Sequence, residues 1–80
     1  FWIAVHEEFR GRGVGKRLQD LTEQAIARLG GKRIYIETSS RAQYEPTRAF
    51  YRACGYALAA ELPDFYDEGD GKVVMLKVVG

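Results

Sequence analysis

Eighty residues hold one cysteine, one histidine, one methionine and two prolines. A single thiol excludes an internal disulfide framework and suits a reducing compartment, hence the expectation of a cytoplasmic protein. No His, Cys, Asp or Glu cluster has ligand spacing, so no metal is expected. Long apolar runs are missing too: nothing approaches the roughly 20 residues that span a bilayer, and no signal-peptide pattern is present. Net charge is nearly absent, with 12 basic residues against 11 acidic ones, a balance of +1. That gives no reason to expect a nucleic acid or an anionic membrane as partner. An initial methionine is lacking as well. The chain begins inside the apolar run Phe1-Trp2-Ile3, and residues 1–80 therefore read as the later part of one larger domain.

What is present is ordinary for a globular chain, 46% hydrophobic and 29% charged, in a length that allows one small core. Phe1 to Val5 is an aromatic and branched run with strand character. From Lys16 to Leu29, apolar residues recur at Leu18, Leu21, Ala25, Ile26 and Leu29, the spacing of a helix with one buried face. Gly30-Gly31 ends it. Arg33 to Thr38 alternates, Ile34 and Ile36 opposing Tyr35 and Glu37, as a strand does. Ser39 to Glu45 reads as loop, Pro46 opens a second helix, and Gly55 closes it. Tyr56 to Leu62 and Lys72 to Val79 read as strands joined by a turn-rich segment, Pro63 to Gly71. Strand-helix-strand-helix-strand-strand order predicts an α/β fold with one parallel strand pair and a closing hairpin.

The segment FRGRGVGKRL, Phe9 to Leu18, carries three glycines and four basic side chains between the first strand and the first helix. A helix start leaves backbone N–H groups unpaired and carries partial positive charge, and glycines let an anion's oxygen approach them. A Walker loop does not fit, because three residues rather than four separate Gly11 from Gly15 and Arg17 follows Lys16. A dinucleotide fingerprint fails where Lys16 replaces its third glycine. The pattern that fits is Arg-x-x-Gly-x-Gly at Arg10, Gly13 and Gly15.

Three stretches in order, WIAVHEEFRGRGVGKRL, RIYIETSS and PTRAFYRACGY, resemble the second half of a GNAT-superfamily N-acetyltransferase. The Phe50-Tyr51…Gly55-Tyr56 ending of the third resembles a hallmark of that family. The resemblance implies a GNAT-like mixed sheet whose parallel pair splays apart, and acetyl-CoA as cosubstrate. It implies that Arg10, Gly11, Arg12, Gly13, Val14, Gly15 and Lys16 hold the diphosphate. Ile3, Ala4 and Val5 would offer backbone groups to the pantetheine arm, with a nearby N–H polarising the thioester. Tyr51 would be the general acid, a phenol still protonated at neutral pH.

Other residues have plainer readings. Cys54 reads as small core filler and His6 as a solvated or hydrogen-bonded residue. Where the family often carries Asn, seven positions before the acid, this chain has Tyr44. Glu37 is the internal choice for general base, against a structural acid that meets a lysine or arginine. Asp64, Asp67, Glu68 and Asp70 beside Phe65 and Tyr66 would suit a cationic amine, against a locally stabilised turn. The function expected is acetyl transfer to a primary amine, on a small molecule or peptide, by direct attack, with a homodimer as one working form. The alternative is a non-catalytic coenzyme-binding or assembly module completed by another chain segment at the open Phe1–Val5 edge.

Overall fold

The computed structural model describes residues 1–5 and 13–80, with side chains of the second stretch described from Gly15 onward. Strand β1 is Trp2–Ala4, helix α1 Gly13–Arg28, strand β2 Arg33–Ser39, helix α2 Glu45–Ala53, strand β3 Ala57–Asp67 and strand β4 Asp70–Val78. A single 3-10 turn, Ala42–Tyr44, leads into α2. The sheet order is β1-β2-β4-β3. β1 runs parallel to β2, and β4 lies antiparallel to both β2 and β3. The expected α/β order is therefore observed, with the last strand inserted beside β2.

Alternation in β2 decides the layers. Ile34 and Ile36 are fully buried, and Ile36 pairs with Ile3 on one side and Met75 on the other. Ile26 of α1 and Phe50 and Tyr51 of α2 join the same apolar cluster, so both helices cover this one face. Each buried isoleucine contributes about 1.5–3 kcal/mol through the water it sheds. The opposite face carries Trp2 stacked on Tyr35, ring centres 4.5 Å apart, and no helix among the described residues.

The apolar stripe expected on α1 is a correction. Ile26 is buried, but Leu18, Leu21 and Leu29 are 59%, 52% and 76% exposed, and Ala25 is exposed too. The face that meets the sheet is Gln19, Glu23 and Ile26, an i, i+4, i+7 set of mostly polar residues. Its partners, Tyr56 and Lys77, are themselves polar, so hydrophobic spacing alone selected the wrong side. A second correction concerns β3, which continues through the Pro63–Gly71 segment as far as Asp67 and turns at Glu68-Gly69. One register shift falls between Leu58 and Ala60, and a second spans Pro63 and the left-handed Asp64, at φ 57°, with pairing to β4 resuming at Asp67.

α2 is held at both ends. Pro46 sits in its first turn, where the missing N–H costs nothing. Arg48 donates to the carbonyls of Ser39 and Arg41, at 2.6 and 3.1 Å, and so ties the helix to the end of β2. Gly55 ends the helix at φ +97°. An alanine there would meet only the Lys77 side chain, at 3.4 Å, so backbone strain is the main penalty. Gly55→Ala is expected to cost about 1–2 kcal/mol. Thermal unfolding followed by circular dichroism should show this as a midpoint lower by roughly 4–8 °C per kcal/mol.

Candidate active site at the strand ends

α1 begins at Gly13, three residues earlier than its hydrophobic spacing suggests, so the glycine segment runs directly into the helix. Gly13, Val14, Gly15 and Lys16 make the first turn, and the N–H groups of Gly13, Val14 and Gly15 have no intrahelical acceptor. No acidic residue lies in that turn to compete with an anion. Lys16 reaches back to Asp20 at 3.1 Å, and this hydrogen bond, then the carboxylate's charge, raises the ammonium pKa. The charge stays in place at any working pH. Arg10, Gly11 and Arg12 of the expected diphosphate set, like His6, lie outside the described residues.

β1 places the expected pantetheine edge. The amide of Tyr35 donates to Phe1 and that of Val5 to Glu37, both at 2.8 Å. In a parallel ladder alternate residues face the neighbour, so Ile3 and Val5 turn towards β2 while Ala4 presents its backbone to the open edge. The pair stays bonded throughout Phe1–Val5. The expected splay does not fall within that stretch, and residues 6–12 lie outside the described residues.

Tyr51 is half-buried on α2 between two rings, edge-on to Phe50 at 5.1 Å and to Tyr56 at 5.4 Å. Burial first, and the neighbouring Cys54 second, raise its phenol pKa, so the proton is held at neutral pH. Its hydroxyl makes no hydrogen bond within the described residues. Cys54 is buried among apolar neighbours, as a core filler would be, and burial raises its thiol pKa. The thiol also feels the charges of Lys16, Glu23, Asp20 and Lys77. Gln19, in the second turn of α1, donates to the Tyr56 hydroxyl at 2.8 Å just beyond the end of α2, so the early part of α1 and the end of the Tyr51 helix lie near one another.

A cleft of about 340 Å³ opens where β1 and β2 end, walled by Val5, Ser39, Arg41, Tyr44, Tyr66 and Asp70. Carboxyl ends of parallel strands are where open α/β sheets bind ligands. Val5 lines this cleft and also packs on the core cluster that Tyr51 joins. Ser39 donates to Asp70, which Arg41 approaches at 3.4 Å, so the β2–α2 loop is pinned to the β3–β4 hairpin. Tyr44 stands at the cleft wall in the position where the resemblance calls for Asn. The acidic loop has largely local duties: Asp64 accepts from the Gly69 amide and Asp67 from the Glu68 amide, both at 2.8 Å.

Glu37 is engaged at both oxygens, taking Lys72 at 3.0 Å and the Tyr66 hydroxyl at 2.8 Å. The Tyr66 phenol, partly buried and bonded to that carboxylate, is pushed up to about 12. Lys72 also lies 4.6 Å from the centre of the Phe65 ring. To take a proton from an amine, Glu37 would have to release one of its partners. Glu37→Gln is therefore expected to lower kcat by less than about tenfold, whereas loss of a general base removes about 10²–10⁴-fold. Steady-state rates across pH 6–9 check this, since removal of a base would also erase the acidic limb.

The residues that spacing did not single out are Gln19, Glu23 and Lys77, which with Tyr56 of the family ending form a largely buried polar set between α1 and the sheet. Gln19 and Glu23, four apart among charged neighbours, read as a solvated helix face. Only the β4 register, which brings Lys77 beneath α1, shows otherwise. Among the described residues no three His, Cys, Asp or Glu side chains group as a metal site would. No helix among them is long and apolar enough to cross a membrane.

A parallel strand pair, a helix that starts in the glycine segment and a second helix that carries Tyr51 follow in the order of a mixed α/β acetyltransferase fold. The family model described as "Acetyltransferase (GNAT) domain" matches residues 1–58. The chain belongs to the GNAT acetyltransferase family. Among solved structures it is similar to a Desulfovibrio desulfuricans protein described as of the GNAT family, with 32% identity and a TM-score of 0.85 over 89% of this chain and 45% of that one. An aminoglycoside 6'-N-acetyltransferase solved with coenzyme A matches at 23% identity and TM-score 0.74, over 89% and 52% of the two chains. A Salmonella typhimurium protein solved with acetyl-CoA shares the fold at 15% identity and TM-score 0.77, over 99% and 49%. The chain thus spans about half the length of these three structures.

Proposed function

We propose that this chain carries the coenzyme site and the general acid of an N-acetyltransferase that acetylates a primary amine by direct attack. The observation that carries the reading is the placement of Tyr51. It is a half-buried phenol that holds its proton at neutral pH, its hydroxyl without a partner among the described residues, on a helix whose end is joined to α1 by the 2.8 Å hydrogen bond from Gln19 to the Tyr56 hydroxyl. The first turn of α1 and Lys16 suit a diphosphate: unpaired amides, no carboxylate in the turn and a fixed positive charge. Acetyl-CoA, when bound, supplies an activated acetyl group, and its transfer forms a nitrogen–carbon bond while the carbon–sulfur bond breaks. The Tyr51 hydroxyl donates its proton to the departing sulfur and recovers one from solvent. An ordered water or a group beyond this chain takes the proton from the attacking amine. Val5 lines the cleft and packs on the core cluster that Tyr51 joins, which supports a reading in which acceptor and acid meet there.

A second reading has its own observation. Leu18, Leu21 and Leu29 are exposed on α1 and β1 lies at one edge of the sheet, as in a module completed by another chain segment. Calorimetric titration with acetyl-CoA, and then thiol release in the presence of benzylamine, spermidine or a peptide with a free amino terminus, separates the two. Binding with turnover supports the enzyme; saturable binding with no thiol released on any of these acceptors supports the module.

A further inference from the structure

α1 breaks its own hydrophobic pattern. Three leucines face outward while Gln19 and Glu23 are turned into the fold, about one and two turns beyond Gly15. Glu23 receives Lys77 at 2.7 Å on one oxygen, and the Tyr56 hydroxyl at 3.1 Å and Gln19 at 3.2 Å on the other. Gln19 also donates to the Tyr56 hydroxyl at 2.8 Å. Lys77 has a second bond, at 2.6 Å, to the carbonyl of Cys54, the residue that caps α2. The Tyr56 ring meets Tyr51 edge-on, and its amide donates to the Tyr51 carbonyl at 3.0 Å. One connected network therefore joins the coenzyme helix, the end of the Tyr51 helix and β4.

From this geometry we infer that Glu23, Tyr56 and Lys77 are positioning residues, which fix the separation between the first turn of α1 and the Tyr51 hydroxyl. The inference rests on the acetyltransferase reading above. A need for stability does not account for the network. The Lys77–Glu23 pair is partly buried, 27% and 10% exposed, and such a pair adds little over well-packed apolar residues of the same volume, so that replacing it with them is often neutral or stabilising. What a satisfied polar network supplies instead is one geometry, since each donor has a single acceptor arrangement that meets it. A coenzyme anchored by its diphosphate at α1 must deliver its sulfur to a phenol on α2, so the span between those two helices sets the alignment. Errors of about 1 Å in such alignment can cost about 10²-fold in rate.

The test compares the double variant Glu23→Met/Lys77→Met and the single variant Tyr56→Phe with the full wild-type chain. Acetyl-CoA affinity is read by calorimetry, kcat from thiol release with benzylamine, and folding by thermal unfolding. For the double variant, an unchanged or higher unfolding midpoint, acetyl-CoA affinity within about twofold and a kcat lower by about tenfold or more are expected. Tyr56→Phe, which keeps the ring and loses the hydroxyl, should lower kcat in the same direction at unchanged affinity. An unchanged kcat in folded variants overturns the inference. So does a kcat that falls only in step with the unfolding midpoint and with coenzyme affinity, because that is the mark of a merely structural network. Where the double variant does not fold, Tyr56→Phe decides alone. A wild-type chain that binds acetyl-CoA and releases no thiol overturns the underlying enzyme reading itself, a result distinct from unequal rates among active variants.

Discussion

Replacing Tyr51 by phenylalanine is expected to lower kcat about 10²-fold or more while acetyl-CoA affinity stays within about twofold. The ring and its edge-on contacts with Phe50 and Tyr56 survive the change, so the apolar cluster keeps its packing. Only the hydroxyl is lost, and it has no partner within the described residues whose bonding would collapse. The rate should fall because the sulfur must then leave as a bare thiolate or wait for water to protonate it. Calorimetry and steady-state thiol release measure the two quantities separately. Equal rates for the two chains would remove Tyr51 from the mechanism and leave it as a packing aromatic.

The same residue sets the pH dependence. Desolvation raises the Tyr51 phenol pKa above its ordinary value near 10, so the acid stays loaded throughout the neutral range. On the alkaline side the wild-type rate should decline only as pH climbs past 10, and Tyr51→Phe should lack that alkaline limb. Stability shares the sign. A phenol with a raised folded pKa holds its proton more tightly when folded. Its contribution is complete below pH 10 and is lost as pH rises through the folded value. Tyr56, raised mainly by burial, and Tyr66, pushed up to about 12, act in the same direction.

How much is legible in the amino-acid sequence differs from element to element. Element order, the strand at Arg33–Thr38, the second helix and the hairpin come from alternation, Pro46 and Gly55, because those signals are local. The glycine segment and the Phe50-Tyr51…Gly55-Tyr56 ending are legible as motifs, because each rests on fixed residue types at short spacing. The buried side of α1 is not. Which face of a helix is covered depends on what lies beneath it, and beneath Gln19 and Glu23 lie Tyr56 and Lys77, distant in sequence. The partners of Glu37 are hidden for the same reason. Lys72 and Tyr66 come to it only through the antiparallel register of β4 and the long reach of β3. Local rules fail where long-range polar pairing replaces apolar packing, and functional regions are where such exceptions are expected.

The second large effect belongs to the start of α1. Gly13→Val/Gly15→Val should weaken acetyl-CoA binding by about 100-fold or more, which corresponds to roughly 2.7 kcal/mol. Each valine sets a branched Cβ beside amides that must reach a phosphate oxygen, and a backbone cradle works only while nothing stands between donor and anion. Lys16→Ala should do less, because Lys16 is an exposed side chain already engaged by Asp20. Folding should be nearly untouched: among the described side chains of α1 the buried ones begin at Gln19, beyond the substituted turn, and run through Glu23 to Ile26. Calorimetric titration of both variants, with thermal unfolding as the control, reads the difference directly. Loss of binding in the double glycine variant at an unchanged unfolding midpoint would place the diphosphate on this turn. Unaltered binding would move the coenzyme elsewhere. The unpaired amides, the absence of a carboxylate in the first turn and the neighbouring phenol would then have no common ligand.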